Sequence, residues 1–533
     1  MLSLSPGFST LRQELDRTSR IADAWRRSAF APTLLAGTRA GLAALPLLLA
    51  RAAETALSVR RPVGPSPRGT AGEVLREAAS ELGSVELSAD GLGPEAALSR
   101  LVRVLTAYGL DLSHPRAAAH LQAPPLTVSV AADTLASASN ASLDTYDSGP
   151  SAIAIERWLI GVLTRLAGLG TDADGVLTPG GSLSNLLALL LARDAAALRQ
   201  GVDARKDGIA TLQRPVVLCS NLAHFSVHRA CAALGLGESS VIPLPTDERR
   251  RLSPLELERA LRQLRGSATP LAVVATAGTT DFGSIDPLPE LASIAREHET
   301  WLHVDAAYGF GALFSERLAP RLEGIQLADS ITLDLHKLGW QPAAASVLLV
   351  GNTTVFTALR REVAYLNPGD DIDAGLDGLL GRSLQTTRRP DAVKIVAALL
   401  AYGRRGMGDM VDICHDLARH AEQRISTEPE LELIAPAELT TVVFRYRGRK
   451  RPNGHAIDEN AVNGALRRRL LQSGVALIGR TAIPGEEPGA PPRVCLKLTL
   501  LNPTATPRDI DELIDAVLRA GREDTLQTKE QQP

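Results

Sequence analysis

Lys337 closes the segment Asp334-Leu335-His336-Lys337, directly after the strand-like run Ser330-Ile331-Thr332-Leu333. The chain has six lysines. Lys206, Lys450 and Lys529 lie in polar, turn-like or terminal sequence, and Lys394 and Lys497 lie inside patterned elements. Only Lys337 follows a β-rich run and comes directly after a histidine. An amine presented there can attack a carbonyl and form a Schiff base. Asp305, 32 residues upstream, sits in His303-Val304-Asp305-Ala306-Ala307 at the end of another β-rich run, Trp301-Leu302-His303-Val304. A carboxylate in that place can keep a ring nitrogen protonated, because an opposite charge favours the charged form.

A third group points to an anion. Gly180-Gly181-Ser182 stands where a helix begins, running from Ser184 to Leu198. Free N–H groups and the positive end of the dipole face outward there, and Ser182 adds a hydroxyl. Ala277-Gly278-Thr279-Thr280 offers a second hydroxyl source after the run Leu271–Ala275. Either segment alone is an ordinary turn or cap. His224, after the run Pro215–Leu218, is a candidate to stack on a flat ring, and Ala306-Ala307 offers a small surface for it. His224 and His228 are also an i, i+4 pair, the spacing of a metal site. The zinc-protease motif needs glutamate after the first histidine, where this chain has Phe225, and no third ligand is evident, so no metal is expected. A Schiff-base lysine, a carboxylate for a pyridinium and a phosphate cradle are what a pyridoxal 5'-phosphate (PLP) site requires.

These residues need a frame. From about 150 to 350, near-continuous apolar runs (215–218, 271–275, 301–304, 346–350) alternate with helical stretches at 150–168, 225–235, 253–265 and 287–298. That alternation predicts an α/β fold whose mostly parallel central sheet is covered on both faces. Ligands in such sheets sit beyond the carboxyl ends of the strands, where each motif above lies. Residues 1–110 read as a helical N-terminal segment suited to dimer packing, with a Pro/Gly linker at 61–71 and helical periodicity again over 72–108. Residues 111–424 form the large α/β domain. From 425 to 523 the strands 431–435, 440–446, 475–481 and 493–500 surround helices at 456–473 and 507–520, which predicts a small α+β domain, and 524–533 is expected to be a disordered tail.

Bulk properties narrow the partners. A net charge of −3 over 533 residues gives no electrostatic case for nucleic acid or an anionic membrane. The basic run Arg447–Arg451 adjoins Pro-Asn-Gly and reads as a solvated turn. Four irregularly spaced cysteines (Cys219, Cys231, Cys414, Cys495) suit a reduced cytoplasm. The apolar stretch 28–50 is cut by Arg39 and carries Pro32 and Pro46, so helices packing on the body or on a second subunit are expected rather than a bilayer span.

Taken together, the segments resemble the group II PLP-dependent amino acid decarboxylases of fold type I, the family that includes glutamate, aromatic-amino-acid and diaminobutyrate decarboxylases. The resemblance extends from about 114 to 520. It includes His114-Pro115-Arg116, Gly180-Gly181-Ser182-Leu183-Ser184-Asn185, His224, Gly278-Thr279-Thr280, the Asp305 segment, His336-Lys337 and Tyr365-Leu366-Asn367-Pro368. Gln385-Thr386-Thr387-Arg388-Arg389 and Leu500-Leu501-Asn502-Pro503 look closest to the diaminobutyrate and siderophore-type branch. The resemblance implies that Lys337 carries PLP, Asp305 pairs with the pyridinium, His224 stacks on the ring and Ala307 supports its other face. It implies that Gly181, Ser182 and Thr280 hold the phosphate, with His336 in contact, and that Tyr365, on a closing loop near 360–375, returns a proton to the substrate carbon. It also implies a homodimer with sites at the subunit boundary. Asp334 stands where many members have asparagine, and Pro390 where phenylalanine is usual.

The expected reaction is decarboxylation of an L-amino acid to its amine and CO₂, with a diaminobutyrate- or lysine-like substrate. The alternatives are an aliphatic, valine-like substrate, or decarboxylation-dependent oxidative deamination to an aldehyde, against which Tyr365 argues. Gln122, Tyr146, Asp147 and Trp340 are candidates for the substrate side-chain pocket.

Overall fold

The computed structural model describes residues 35–59, 64–447, 458–485 and 490–527. The basic run from 448 to 451, and Pro32 with the start of the apolar stretch, lie outside the described residues. The described residues divide into two compact units: those up to Asp111 with Ser137–Asn140 and Leu471–Val475, and those within Leu112–Ala136, within Ala141–Leu470 and from Ala476 onward.

In the first unit a helix runs from Arg39 to Ser58, opened by the Thr38 hydroxyl, which accepts from the Gly41 N–H. Arg39 begins this helix instead of dividing two, and the helix continues through Pro46. By length and composition alone it could cross a bilayer, and only 6% of its apolar window is buried; Gly181–Arg199 meets the same criteria as a helix of the core. The periodicity expected over 72–108 is broken. Helices Ala71–Leu82 and Pro94–Ala107 flank a non-helical stretch bounded by Gly83 (φ 92°) and Gly93 (φ 79°). Both glycines take left-handed or related backbone angles that a side chain would oppose. Val85 and Leu87 between them are fully exposed, so no burial holds those turns in a helix.

The second unit is built on a seven-stranded sheet. Its strands are β2 (Asp174–Thr178), β3 (Pro215–Ser220), β4 (Val241–Leu244), β5 (Thr269–Thr276), β6 (Trp301–Asp305), β7 (Ser330–Asp334) and β8 (Ser346–Val350), after a two-residue β1 (Ala117–Ala118) that belongs elsewhere. The spatial order is β2-β8-β7-β6-β5-β3-β4. Only β8 runs against the others, antiparallel to both β2 and β7. β2 and β4 were not expected from the sequence: β2 opens on Asp174 directly after Thr171-Asp172-Ala173, and β4 is short and carries Pro243 at the sheet edge.

Side chains alternate between two cores. On β3, Val216 and Leu218 join one cluster, while Val217 and Cys219 join the other. Helices α1 (Pro150–Leu166) and α3 (Ala392–Thr427) cover the first face, and α2 (Gly181–Arg199) lies on the second. Burial on both faces explains why the strands read as continuous apolar runs.

A five-stranded sheet in the order β1-β11-β12-β10-β9 contains β9 (Leu431–Ala435), β10 (Thr441–Tyr446), β11 (Leu477–Ile483) and β12 (Arg493–Thr499). It was expected as a separate small domain from 425, but it falls in the same compact unit as the large sheet. The α3 segment, kinked at Gly403 (φ 61°), runs along both, and polar ties join them: the Tyr308 hydroxyl meets Thr440 and Thr441, and Lys497 reaches Asp281. The last helix, Pro507–Gln527, carries on past the Asp524 at which order was expected to end. Its run Arg519–Gln527 has one glycine and no proline to stop it.

Candidate active site

β2, β3, β5, β6 and β7 point the same way, so their carboxyl ends open on one edge of the sheet. Asp305 is the last residue of β6 and Asp334 the last of β7. Gly181 follows β2 by three residues, Lys337 follows β7 by three, and His224 follows β3 by four. They line a cavity of about 370 Å³ with Ser182, Thr280, Ala307 and His336. The sequence-predicted cofactor residues are thereby brought together. Asn185, Phe225, Thr276, Gly278, Tyr308 and Ala343 also line it, and no role was assigned to them beforehand. A signal for Asn185 existed. It lies four residues after Gly181 on α2, one helical turn on, and so shares that face.

Lys337 Nζ is 2.9 Å from Asp334 Oδ2, with most of the lysine side chain buried. The Ser346 hydroxyl, from the antiparallel strand β8, hydrogen-bonds to the other oxygen of Asp334. Asp334 also lies against the start of α2: a Cβ on Gly181 would be 2.9 Å from its Oδ2. Glycine is needed there for the close approach. Behind it, Thr178 and Ser184 share a hydroxyl hydrogen bond of 2.6 Å that fixes the β2–α2 turn.

Asp305 accepts from Asn185 Nδ2 at 2.8 Å and from the Ala307 N–H at 3.1 Å. Two residues earlier on the same face of β6, His303 is fully buried between Asn185 Oδ1 (3.0 Å from Nε2) and the Ser330 hydroxyl (2.9 Å from Nδ1). Burial pushes the His303 imidazole down to about 4, with Asp305 opposing. Burial also lowers His224 and His336, so all three rings are held toward their neutral forms.

The cavity fits a ring bearing a phosphate. Its walls pair an anion-receptive helix start with a carboxylate across from it, and Thr276, one of its lining residues, keeps a buried hydroxyl oxygen with no hydrogen-bond partner among the described residues. Buried polar atoms are rarely left unsatisfied unless a ligand or water meets them.

Residues 93–447 match the model of the pyridoxal-dependent decarboxylase conserved domain. The chain belongs to the pyridoxal-dependent decarboxylase family. It is 41% identical over 446 residues to an L-2,4-diaminobutyrate decarboxylase of Rhizobium meliloti (strain 1021), covering 83% of this chain and 85% of that one. It is 33% identical over 446 residues to one from Acinetobacter baumannii, covering 82% and 85%. Among solved structures it is similar to the glutamate decarboxylase domain of a diaminobutyrate-pyruvate transaminase and L-2,4-diaminobutyrate decarboxylase from Vibrio parahaemolyticus. There the TM-score is 0.79 at 28% identity, over 91% of this chain and 96% of that one. This decarboxylase is a PLP-dependent carboxy-lyase acting on an amino acid, on the α/β fold expected of it.

Other expected site residues lie elsewhere. Tyr365 is 83% exposed and does not line the cavity; its turn is held by the Asn367 side chain, which accepts from the Val363 N–H and donates to the Arg361 carbonyl. Trp340 is buried in the core with its indole N–H on the Leu501 carbonyl. Gln122 and Tyr146 are exposed, and Asp147 accepts from the Thr145 hydroxyl. None of the four substrate-pocket candidates lines the cavity.

Proposed function

We propose that the enzyme decarboxylates L-2,4-diaminobutyrate or a lysine-like diamino acid to its amine, working in the cytoplasm as a homodimer with sites at the subunit boundary. The observation that carries the substrate is the 41% identity, over most of both chains, to a diaminobutyrate decarboxylase. The four cysteines are free and buried, as a reducing compartment permits.

In this reading Lys337 is the covalent anchor, and it must leave its ion pair with Asp334 to react. Gly181 and Ser182 at the start of α2 receive the phosphate together with Thr280, with His336 beside them in the cavity. Asp305 holds a proton at the ring nitrogen, and neutral His224 and Ala307 face the ring from either side. When bound, the protonated cofactor ring supplies an electron sink for the carbon that loses CO₂. Tyr365 returns a proton to that carbon. Its exposure away from its own cavity fits a residue that acts across a subunit boundary or after its segment closes. Residues 1–110 then serve as the dimer-packing segment, 111–424 as the cofactor-binding part and 425–523 as the smaller C-terminal part.

Two measurements test this. Borohydride reduction of PLP-loaded protein followed by peptide mapping should place the pyridoxyl group on Lys337; a label on another lysine overturns the site. CO₂ release from diaminobutyrate, ornithine, lysine, valine and glutamate should favour a diamino acid over valine by at least about 100-fold in kcat/KM. A valine preference would replace the substrate reading and leave the site intact.

A further inference from the structure

We infer that Asn185 is a positioning residue that joins Asp305 to His224, holding the ring-nitrogen carboxylate and the ring-facing imidazole as one hydrogen-bonded unit. The inference rests on the PLP reading of the cavity and goes beyond it by naming what fixes its two principal walls.

Asn185 is buried, and all of its amide group is committed to the site. Nδ2 has two hydrogens: one goes to Asp305 Oδ2 at 2.8 Å, the other to the Ser226 hydroxyl at 2.9 Å. Oδ1 faces His303 Nε2 at 3.0 Å. The orientation of the amide follows from its partners. An ionised carboxylate only accepts, so the atom facing Asp305 is the nitrogen, and His303 must then carry its proton on Nε2.

The chain continues on the other side. Having accepted from Asn185, the Ser226 hydroxyl donates to His224 Nδ1 at 2.8 Å, and the Ser226 backbone N–H points at the same nitrogen at 3.3 Å. Nδ1 of His224 is therefore an acceptor and its proton lies on Nε2. One amide thus fixes the rotation of the carboxylate, the tautomer of the buried histidine behind it and, through one hydroxyl, the tautomer of the imidazole across the cavity. Removing it would leave Asp305 Oδ2 and His303 Nε2 buried with a partner missing, a penalty that lands on the site itself.

The test uses the full-length protein and PLP. Asn185→Leu keeps the side-chain volume and deletes all three hydrogen bonds. It should raise the Kd for PLP, measured by equilibrium dialysis, by about tenfold or more, because one lost buried hydrogen bond corresponds to about a tenfold change. At saturating PLP it should also weaken the visible circular dichroism of the bound cofactor, which a merely structural asparagine would leave unchanged. Ser226→Ala cuts only the His224 arm and should give a smaller change of the same sign. In the double variant the effects should not add, because Ser226 acts through Asn185. A wild-type Kd and dichroism in Asn185→Leu, or additive effects in the double variant, overturns the inference. Should Asn185→Leu fail to fold, Ser226→Ala decides, and a wild-type Kd and dichroism there overturn it. Borohydride labelling of the wild type separates this from the underlying reading. A label missing from Lys337 removes both, whereas a label on Lys337 with unaffected variants removes only the role of Asn185.

Discussion

Lys337 Nζ and Asp334 Oδ2 form a 2.9 Å ion pair, and the same carboxylate sits against Gly181 at the start of α2. One side chain therefore holds the anchoring amine and places a negative charge beside the cradle meant for a phosphate. The two effects pull in opposite directions. Asp334→Asn retains an acceptor for Ser346 but removes the charge, so PLP should bind about three- to tenfold more tightly at low salt, consistent with roughly 1 kcal/mol of relieved repulsion. Fluorescence titration of the apoprotein measures it. Weaker binding would mean that holding Lys337 is the larger effect. Lys337→Ala should abolish the visible band of the bound cofactor and turnover together.

Thr280 is held from outside its own loop. Lys497, on β12, donates to the Thr280 carbonyl at 3.2 Å and to Asp281 Oδ1 at 2.8 Å, while the Thr481 hydroxyl donates to Asp281 Oδ2. In Lys497→Met the half-exposed Asp281 can turn to water, so the loss of stability should be modest while the loop loosens. The expected result is about a tenfold rise in the Kd for PLP with the far-ultraviolet spectrum unchanged. A wild-type Kd would show that the loop positions itself.

Tyr365→Phe should leave thermal stability within about 0.5 kcal/mol of wild type, as expected for an exposed position. Its effect belongs to the products: amine formation should fall, and aldehyde, ammonia and peroxide should appear. An unchanged product ratio would remove Tyr365 from the reaction.

His303 sets a pH dependence. Its folded pKa of about 4 lies below the ordinary 6.5, so the unfolded chain binds the proton first as pH falls. Stability is thus lost on going from pH 6.5 towards 4, by up to about 3 kcal/mol from this residue. Asp286, raised to about 6 by burial, contributes with the opposite sign because its folded form takes up the proton first. The check is therefore a difference: between pH 7 and 4.5 the urea midpoint of the wild type should fall relative to that of His303→Gln. A constant gap would refute it.

The sheet was legible because its central strands are buried on both faces and so appear as apolar runs of four or five residues. β4 has four residues and a proline, and β2 rises from polar sequence, so neither stood out. The site was legible where chemistry demands a residue type: lysine, aspartate, a glycine-opened helix. Asn185 and His303 lie within the motifs themselves, but their roles come from spacing along a helix turn and along a strand face, which become contacts only once α2 packs beside β6. The four candidates for the substrate pocket do not line the cavity. Trp340 turns into the core, its indole N–H on the Leu501 carbonyl, a partner 161 residues away that nothing near Trp340 in the sequence announces.

Strand β8 carries no residue of the cavity, yet it pairs Ser346 directly with Asp334. Because alternate strand positions face opposite sides, a slip of one residue would turn Ser346 away and bring an apolar neighbour beneath the carboxylate. The returning strand thus acts as a keel for the lysine's ionic partner. Lesions buried along Val347–Val350, far from any reacting atom, should reach the chemistry through that alignment.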